Sequence, residues 1–371
     1  MLPPGEAFLF TGMGRYICKV SVQRISINEF LSGCRNHVVL DVRSPSEYNH
    51  AHMPGALSFP LFSDEERKQV GTEYKQVSRE QAIKTGLDFF GPKMRKMVED
   101  VEAILKKHHE DRPVKTLFVY CWRGGMRSGA VAWLLDLYGF KVYTLAGGYK
   151  TYRNHVLASF SKPYPFRVLG GFTGSGKTET LHQLEQMGEP VIDLESIAAH
   201  KGSAFGSYRM PPQPGQEMFE NLLSVALEQT SARAGDKEIW LEDESQRIGD
   251  LNLPNALWER MRVSPVYFMD IPFEERLMHL VEEYRDCPTE KLVNSTLRIS
   301  KRLGPLETKT TVQHLDEENR VEAFRILLQY YDKRYLKGLH NRTGISALLT
   351  KIPFETVSPA NAGALTKYQP A

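Results

Sequence analysis

Eight residues, Cys121-Trp122-Arg123-Gly124-Gly125-Met126-Arg127-Ser128, put one thiol, two guanidiniums and two glycines on a single short loop. A glycine loop that opens a helix turns several backbone N–H groups inward and makes a nest for an anion. A cysteine at the head of such a nest, with arginines beside it, is favoured as the thiolate, the form that attacks. This suits group transfer onto or off sulfur. Cys121, Arg123 and Arg127 are therefore the candidate catalytic residues, with an inert buried thiol as the alternative. The spacing Cys121-x5-Arg127 is also that of phosphatase loops. That chemistry needs a placed acid, which the sequence does not locate.

A second loop, Gly171-Phe172-Thr173-Gly174-Ser175-Gly176-Lys177-Thr178, matches G-x-x-x-x-G-K-[ST] in full. Its glycines let backbone N–H groups wrap phosphate oxygens, and Lys177 neutralises them. Gly171, Gly174, Ser175, Gly176, Lys177 and Thr178 are the candidate phosphate-binding residues. Thr178 could also hold Mg²⁺. Glu242 or Asp243, at the end of an apolar run, could supply a metal-side carboxylate or form a solvated acidic cluster. Asp193 could be a base or positioning group, or a helix N-cap. The motif specifies phosphate, not nucleotide.

The elements that must position these loops can be read on either side of them. Residues 38–42 and 116–120 are continuous apolar, β-branched runs, the pattern of parallel strands buried on both faces. Residues 92–108 form an amphipathic helix, and Val131, Leu134, Leu135 and Tyr138 mark another that Gly139 ends. The Cys121 loop thus lies between a strand and a helix. The second loop follows a strand at 166–169 and opens a helix through Leu181 and Leu184. Further strands are expected at 142–145, 191–194, 239–241 and 266–270, with a helix over 216–230. Strand–loop–helix alternation predicts α/β architecture with parallel sheets. The expected division is a lead-in of unknown role at 1–20, a first domain at 21–155, a linker at 156–165 punctuated by Pro163 and Pro165, and a second domain at 166–371. That second domain turns helical from about 273.

The whole chain has 371 residues, 41% apolar and 25% charged, with a net charge of +2. This excludes disorder as the main state and excludes a polycation, so any nucleic-acid contact must be a local patch. Cys18, Cys34, Cys121 and Cys287 form no CxxC pair. Neither a disulfide scaffold nor a structural zinc site is expected. No apolar run reaches the ~18 residues of a membrane helix, and no basic segment precedes the apolar residues 7–10. A soluble, cytoplasmic protein is expected.

Asp41-Val42-Arg43-Ser44-Pro45-Ser46-Glu47-Tyr48, then His52-Met53-Pro54-Gly55-Ala56, then the Cys121 loop, resemble a rhodanese (sulfurtransferase) domain. In that family the cysteine carries a persulfide. The commoner family loop reads C-x-x-G-x-R-S, and this one is a residue longer, so its cradle is wider. A rhodanese-like domain followed by a P-loop NTPase-like domain with a helical C-terminal part resembles the tRNA 2-selenouridine synthase family. Further segments carry that likeness: Gly71-Thr72-Glu73-Tyr74-Lys75, Gly147-Gly148-Tyr149-Lys150, Asp193-Leu194-Glu195, His200-Lys201-Gly202-Ser203-Ala204-Phe205-Gly206, Leu241-Glu242-Asp243-Glu244-Ser245 and Lys301-Arg302-Leu303-Gly304. Lys201 and Gln246 stand where the family has Arg.

The resemblance implies conversion of a wobble 2-thiouridine in tRNA to 2-selenouridine through an S-geranyl intermediate. Selenophosphate is the implied selenium donor and geranyl diphosphate the prenyl donor, with no tightly bound cofactor and no membrane partner. The alternatives are an ATP- or GTP-dependent tRNA sulfurtransferase and a non-catalytic P-loop tRNA-binding protein. Lys201, Arg209, Arg298, Lys301 and Arg302 are the candidate tRNA contacts, with a solvated helix face as the alternative. Phe205, Tyr208 and Phe219 could wall a base or prenyl chain, or pack in the core.

Overall fold

A computed structural model describes residues 22–108 and 115–368. The expected lead-in, 1–20, lies outside the described residues. The chain divides into two compact units, one up to residue 155 and one from 156 onward.

The first unit runs β1 (Gln23–Ile25), α1 (Ile27–Gly33), β2 (Val38–Asp41), α2 (Pro45–His50), β3 (Leu57–Ser58), α3 (Asp64–Gln76), α4 (Arg79–Phe90), α5 (Met94–His108), β4 (Thr116–Tyr120), α6 (Met126–Tyr138), β5 (Lys141–Leu145) and α7 (Gly148–Ser159). The expected linker therefore begins inside a helix. The five strands pair in parallel in the order β1-β5-β4-β2-β3. Every residue of β2 is buried, the apolar residues 38–40 as a strand covered on both faces requires and Asp41 through its pair with Arg43. Ser26 and Glu29 close a reciprocal cap on α1, and Ser44 and Glu47 do the same on α2. Gly139 ends α6 in the left-handed region at φ 106°. Leu40, Val101, Leu117, Val119 and Val131, all fully buried in one apolar cluster, pack the strands against α5 and α6.

The second unit contains β6 (Phe166–Gly171), α8 (Lys177–Gln186), β7 (Val191–Ile192), α9 (Leu194–Ala198), α10 (Gln216–Ala234), β8 (Ile239–Glu242), a small antiparallel pair β9 (Arg247–Ile248) and β10 (Leu251–Asn252), α11 (Asn255–Arg262) and β11 (Val266–Asp270). It continues through α12 (Phe273–Glu283), α13 (Thr289–Arg298), α14 (Ser300–Leu303), α15 (Pro305–Asp316), α16 (Arg320–His340), α17 (Ile345–Leu348), β12 (Leu349–Pro353) and α18 (Ala362–Leu365). The main sheet is parallel, in the order β12-β11-β6-β8-β7, which puts the strand feeding the phosphate loop at its centre. The helical part has its own apolar cluster, including Phe205, Leu280, Tyr284, Leu292 and Phe324. Both units are α/β with parallel sheets. Among the described residues, no helix is long and apolar enough to cross a membrane.

Candidate active site

In the first unit Cys121 follows β4, the middle strand of the sheet, and α6 starts five residues later. Ligands gather at the carboxyl ends of such strands. The Cys121 side chain is buried, with Sγ 3.2 Å from the Ser128 hydroxyl. Its carbonyl accepts from the Tyr149 N–H at 2.8 Å, and the Trp122 carbonyl from the Lys150 N–H at 3.0 Å. Those two bonds pin the loop from behind. Gly148 must be glycine there: at φ 61°, a Cβ would lie 2.2 Å from the Cys121 carbonyl oxygen. Among the described residues, no acceptor takes the N–H groups of Trp122, Arg123, Gly124 or Gly125. Arg123 is exposed at the loop's surface.

Arg127 is held differently. Its guanidinium grips the Glu47 carboxylate at two points, 2.5 and 3.2 Å. Burial works against charge on Glu47, but Arg127, the Ser44 N–H and Arg67 outweigh it and hold the carboxyl below its usual range. The other signature residues are braces too. Asp41 and Arg43 form a fully buried pair, and the Arg43 guanidinium lies 3.8 Å from the Tyr149 ring centre. Tyr48 stacks on His52 at 3.9 Å. The sequence marks these residues as a motif, while the structure links Glu47 to the thiol loop through Arg127 and Arg43 to it through Tyr149.

In the second unit the phosphate loop joins β6 to α8. Gly174, at φ 79°, lies against α12, where a Cβ would meet the Arg276 carbonyl at 2.7 Å and Leu280 Cγ at 2.8 Å. Arg276 is buried, pairs in parallel with Asp332 at 3.0 and 2.8 Å, and donates to the Thr173 carbonyl. No sequence signal singles out this brace. Lys177 Nζ donates to the carbonyls of Gly171 and Phe172 at 2.9 and 3.3 Å. The Ser175 hydroxyl is buried without a partner among the described residues.

The three carboxylates expected near the loop each have a distinct place. Asp193 is the N-cap of α9, accepting from the Ser196 N–H at 2.7 Å, and also meets His182 at 2.8 Å. Glu242 is buried and accepts from the N–H groups of Leu194 and Glu195. Asp243 is paired with Arg342 and accepts from the Tyr335 hydroxyl, which itself accepts from the Gly171 N–H. The carboxylate at the Thr178 hydroxyl is Glu195, at 3.0 Å. Burial raises the Glu195 carboxyl, with Lys177 and Thr178 pulling it back. Burial and neighbouring acids push Glu242 and Glu244 well up. A hydroxyl and a carboxylate beside a phosphate loop are hard oxygen donors that suit Mg²⁺, whose other positions go to phosphate and water. Among the described residues, no group of three His, Cys, Asp or Glu side chains is placed to hold a metal.

One cavity of about 1990 Å³ opens from this loop. Gly174, Ser175, Gly176, Lys177 and Thr178 form part of its wall, together with Asp193, Glu195, Asp243 and Glu244. Its apolar lining includes Ala204, Leu280, Tyr284, Ile299 and Tyr331. Arg262, Arg298, Arg302 and Arg334 also line it, with Arg342 paired to Asp243. Lys201 also lines it but is paired with Glu283. Arg209 is exposed and pairs with Asp286 at 2.8 Å, and Lys301 is exposed off the wall. Phe205 and Phe219 are core residues, and Tyr208 stacks on Tyr284 at 5.6 Å.

A cysteine heading a strand-to-helix loop on one parallel sheet and a P-loop sequence on another define a rhodanese-like domain joined to a P-loop domain. The rhodanese-like family profile matches residues 27–155, and the profile described as the tRNA 2-selenouridine synthase AAA domain matches 164–349. Relatives named tRNA 2-selenouridine synthase agree over both. The chain is 33% identical to one from Pseudomonas putida, covering 80% of this chain and 87% of that one. It is 34% identical to one from Hydrogenovibrio crunogenus (81% and 89%) and 37% to one from Cupriavidus pinatubonensis (69% and 67%). The chain belongs to the tRNA 2-selenouridine synthase family and is an enzyme.

Proposed function

We propose that the protein converts a wobble 2-thiouridine in tRNA to 2-selenouridine in two steps, one in each unit. In the second unit the P-loop holds the diphosphate of geranyl diphosphate. The thiouridine sulfur attacks C1 of the prenyl chain, the C–O bond breaks, diphosphate leaves and the N3 proton goes to solvent. Lys177 and the loop amides stabilise charge that grows on the departing diphosphate, where such donors act most strongly. Mg²⁺ held by Thr178 and Glu195 would neutralise part of that charge. Alkylation turns the sulfur into a leaving group. In the first unit the Cys121 loop receives selenophosphate, and selenium replaces the geranyl thiol.

The observation that carries the reading is the composition of the cavity wall. The phosphate loop, several apolar side chains and several arginines line one cavity, which suits the diphosphate, the prenyl tail and the RNA backbone of the two substrates. Leu280 touches the phosphate loop itself, so an apolar tail can begin where the cradle ends. The test is nucleoside mass spectrometry of thiolated tRNA incubated with protein, selenophosphate and geranyl diphosphate. Formation of S-geranyl-2-thiouridine followed by 2-selenouridine supports the reading. Product formation that requires stoichiometric ATP hydrolysis replaces it with the sulfurtransferase alternative.

A further inference from the structure

The step at Cys121 has an electron balance that selects one atom of the donor. In selenophosphate, selenium is already at the oxidation level of selenide. Moving it onto a cysteine sulfur as a perselenide would oxidise it, and neither the reaction nor the site supplies an oxidant. Attack at phosphorus needs none.

We propose that Cys121 attacks the phosphorus of selenophosphate and forms a transient S-phosphocysteine. This rests on the assignment of selenophosphate to the first unit. The thiolate sulfur makes an S–P bond, the P–Se bond breaks, and its electron pair leaves on selenium as hydroselenide. Hydroselenide adds to C2 of the alkylated pyrimidine, geranylthiolate leaves with its electron pair and takes a proton from solvent, and the selenide proton moves to N3. Water then cleaves the S–P bond, giving inorganic phosphate and the free Cys121 thiolate. Each bond that breaks leaves its electron pair on the departing atom, so no step needs an oxidant or a reductant.

The loop has the parts this requires. The N–H groups of Trp122, Arg123, Gly124 and Gly125 lack acceptors among the described residues and lie between Cys121 and the start of α6. An array of that kind receives the oxygens of a phosphoryl group. Arg123 is exposed beside it as a further donor. Arg127 is held by Glu47, which fixes the sixth position of the Cys-x5-Arg loop. The Ser128 hydroxyl lies 3.2 Å from the sulfur and 3.3 Å from the Gly125 carbonyl, and turning its proton from that carbonyl lets it donate to the thiolate that departs when water cleaves the S–P bond.

The full-length protein is mixed with selenophosphate, quenched in alkaline denaturant within the first turnover, digested at alkaline pH, and the Cys121 peptide examined by high-resolution mass spectrometry with ³¹P NMR of the intact sample. The expected result is a phosphoryl adduct on Cys121 without the isotope pattern of selenium. It should be absent in Cys121→Ser and should persist several-fold longer in Ser128→Ala. Selenium on the Cys121 peptide, or phosphorus appearing on the RNA rather than on the protein, would overturn the proposal. An unmodified Cys121 peptide from Ser128→Ala during active turnover would overturn it as well. If Cys121→Ser itself selenates geranylated tRNA at the wild-type rate, the underlying assignment of the thiol fails instead, and the two failures are distinguishable.

Discussion

Arg127 and Glu47 meet through two hydrogen bonds, 2.5 and 3.2 Å long, that tie the thiol loop to the first turn of α2. The pair lies 80 residues apart in the chain. It helps set the orientation of a loop whose backbone is also held by the N–H groups of Tyr149, Lys150 and Gly129.

Glu47→Gln should therefore lower stability by about 1.5–3 kcal/mol, the range for a hydrogen bond to a charged group. The carboxyl is depressed in the folded state, so its contribution is present above the unfolded value of about 4.3 and is lost as pH falls through the folded value. Denaturant melts of the two proteins should differ most near neutrality and converge in acid. A gap that widens on acidification would contradict this.

Asp243→Asn should cost more. Asp243 and Arg342 are both buried, and the change leaves a buried guanidinium without its counter-charge. The expected loss is about 3–5 kcal/mol, read as a lower urea midpoint. Gly171 should feel it too, through Tyr335, as faster amide exchange at the head of the phosphate loop. A loss below about 1 kcal/mol would mean the pair is relaxed in solution.

The salt dependence of tRNA binding tests the cationic wall. Phosphate contacts release counterions, so affinity should fall with salt. Charge reversal at Arg298 and Arg302, which line the cavity, should reduce the slope by about 1 for each residue. Reversal at Lys301, which lies off the wall, should change it far less. An unchanged slope in the Arg298 and Arg302 variants would move the tRNA contacts elsewhere.

How legible the site is follows from sequence distance. Each anion loop is one continuous stretch, so its spacing fixes its geometry, and Cys121 and Lys177 stand out directly. The strands and helices around them follow from apolar periodicity, including the C-cap at Gly139. Pairings across the chain are not readable in this way. The sequence offers Asp193, Glu242 and Asp243 as carboxylates near one loop, and only the folded backbone shows that a further one, Glu195, meets Thr178. Asp193 illustrates the limit: an acidic residue before a helix reads equally as a cap or a base, and its bond to the Ser196 N–H makes it a cap. Arg276 and Asp332 carry no motif, because a brace needs only reach and charge.

In the proposed function the two units divide the reaction. This division is tested most directly by following S-geranyl-2-thiouridine and 2-selenouridine separately in Lys177→Ala and Cys121→Ser, starting from thiolated and from pre-geranylated tRNA. Lys177→Ala should slow geranylation roughly 10²–10³-fold, as for loss of one stabilising donor, yet selenate pre-geranylated tRNA nearly as wild type. Cys121→Ser should geranylate normally and fail to selenate. Loss of selenation of pre-geranylated tRNA in a folded, tRNA-binding Lys177→Ala protein would contradict the division.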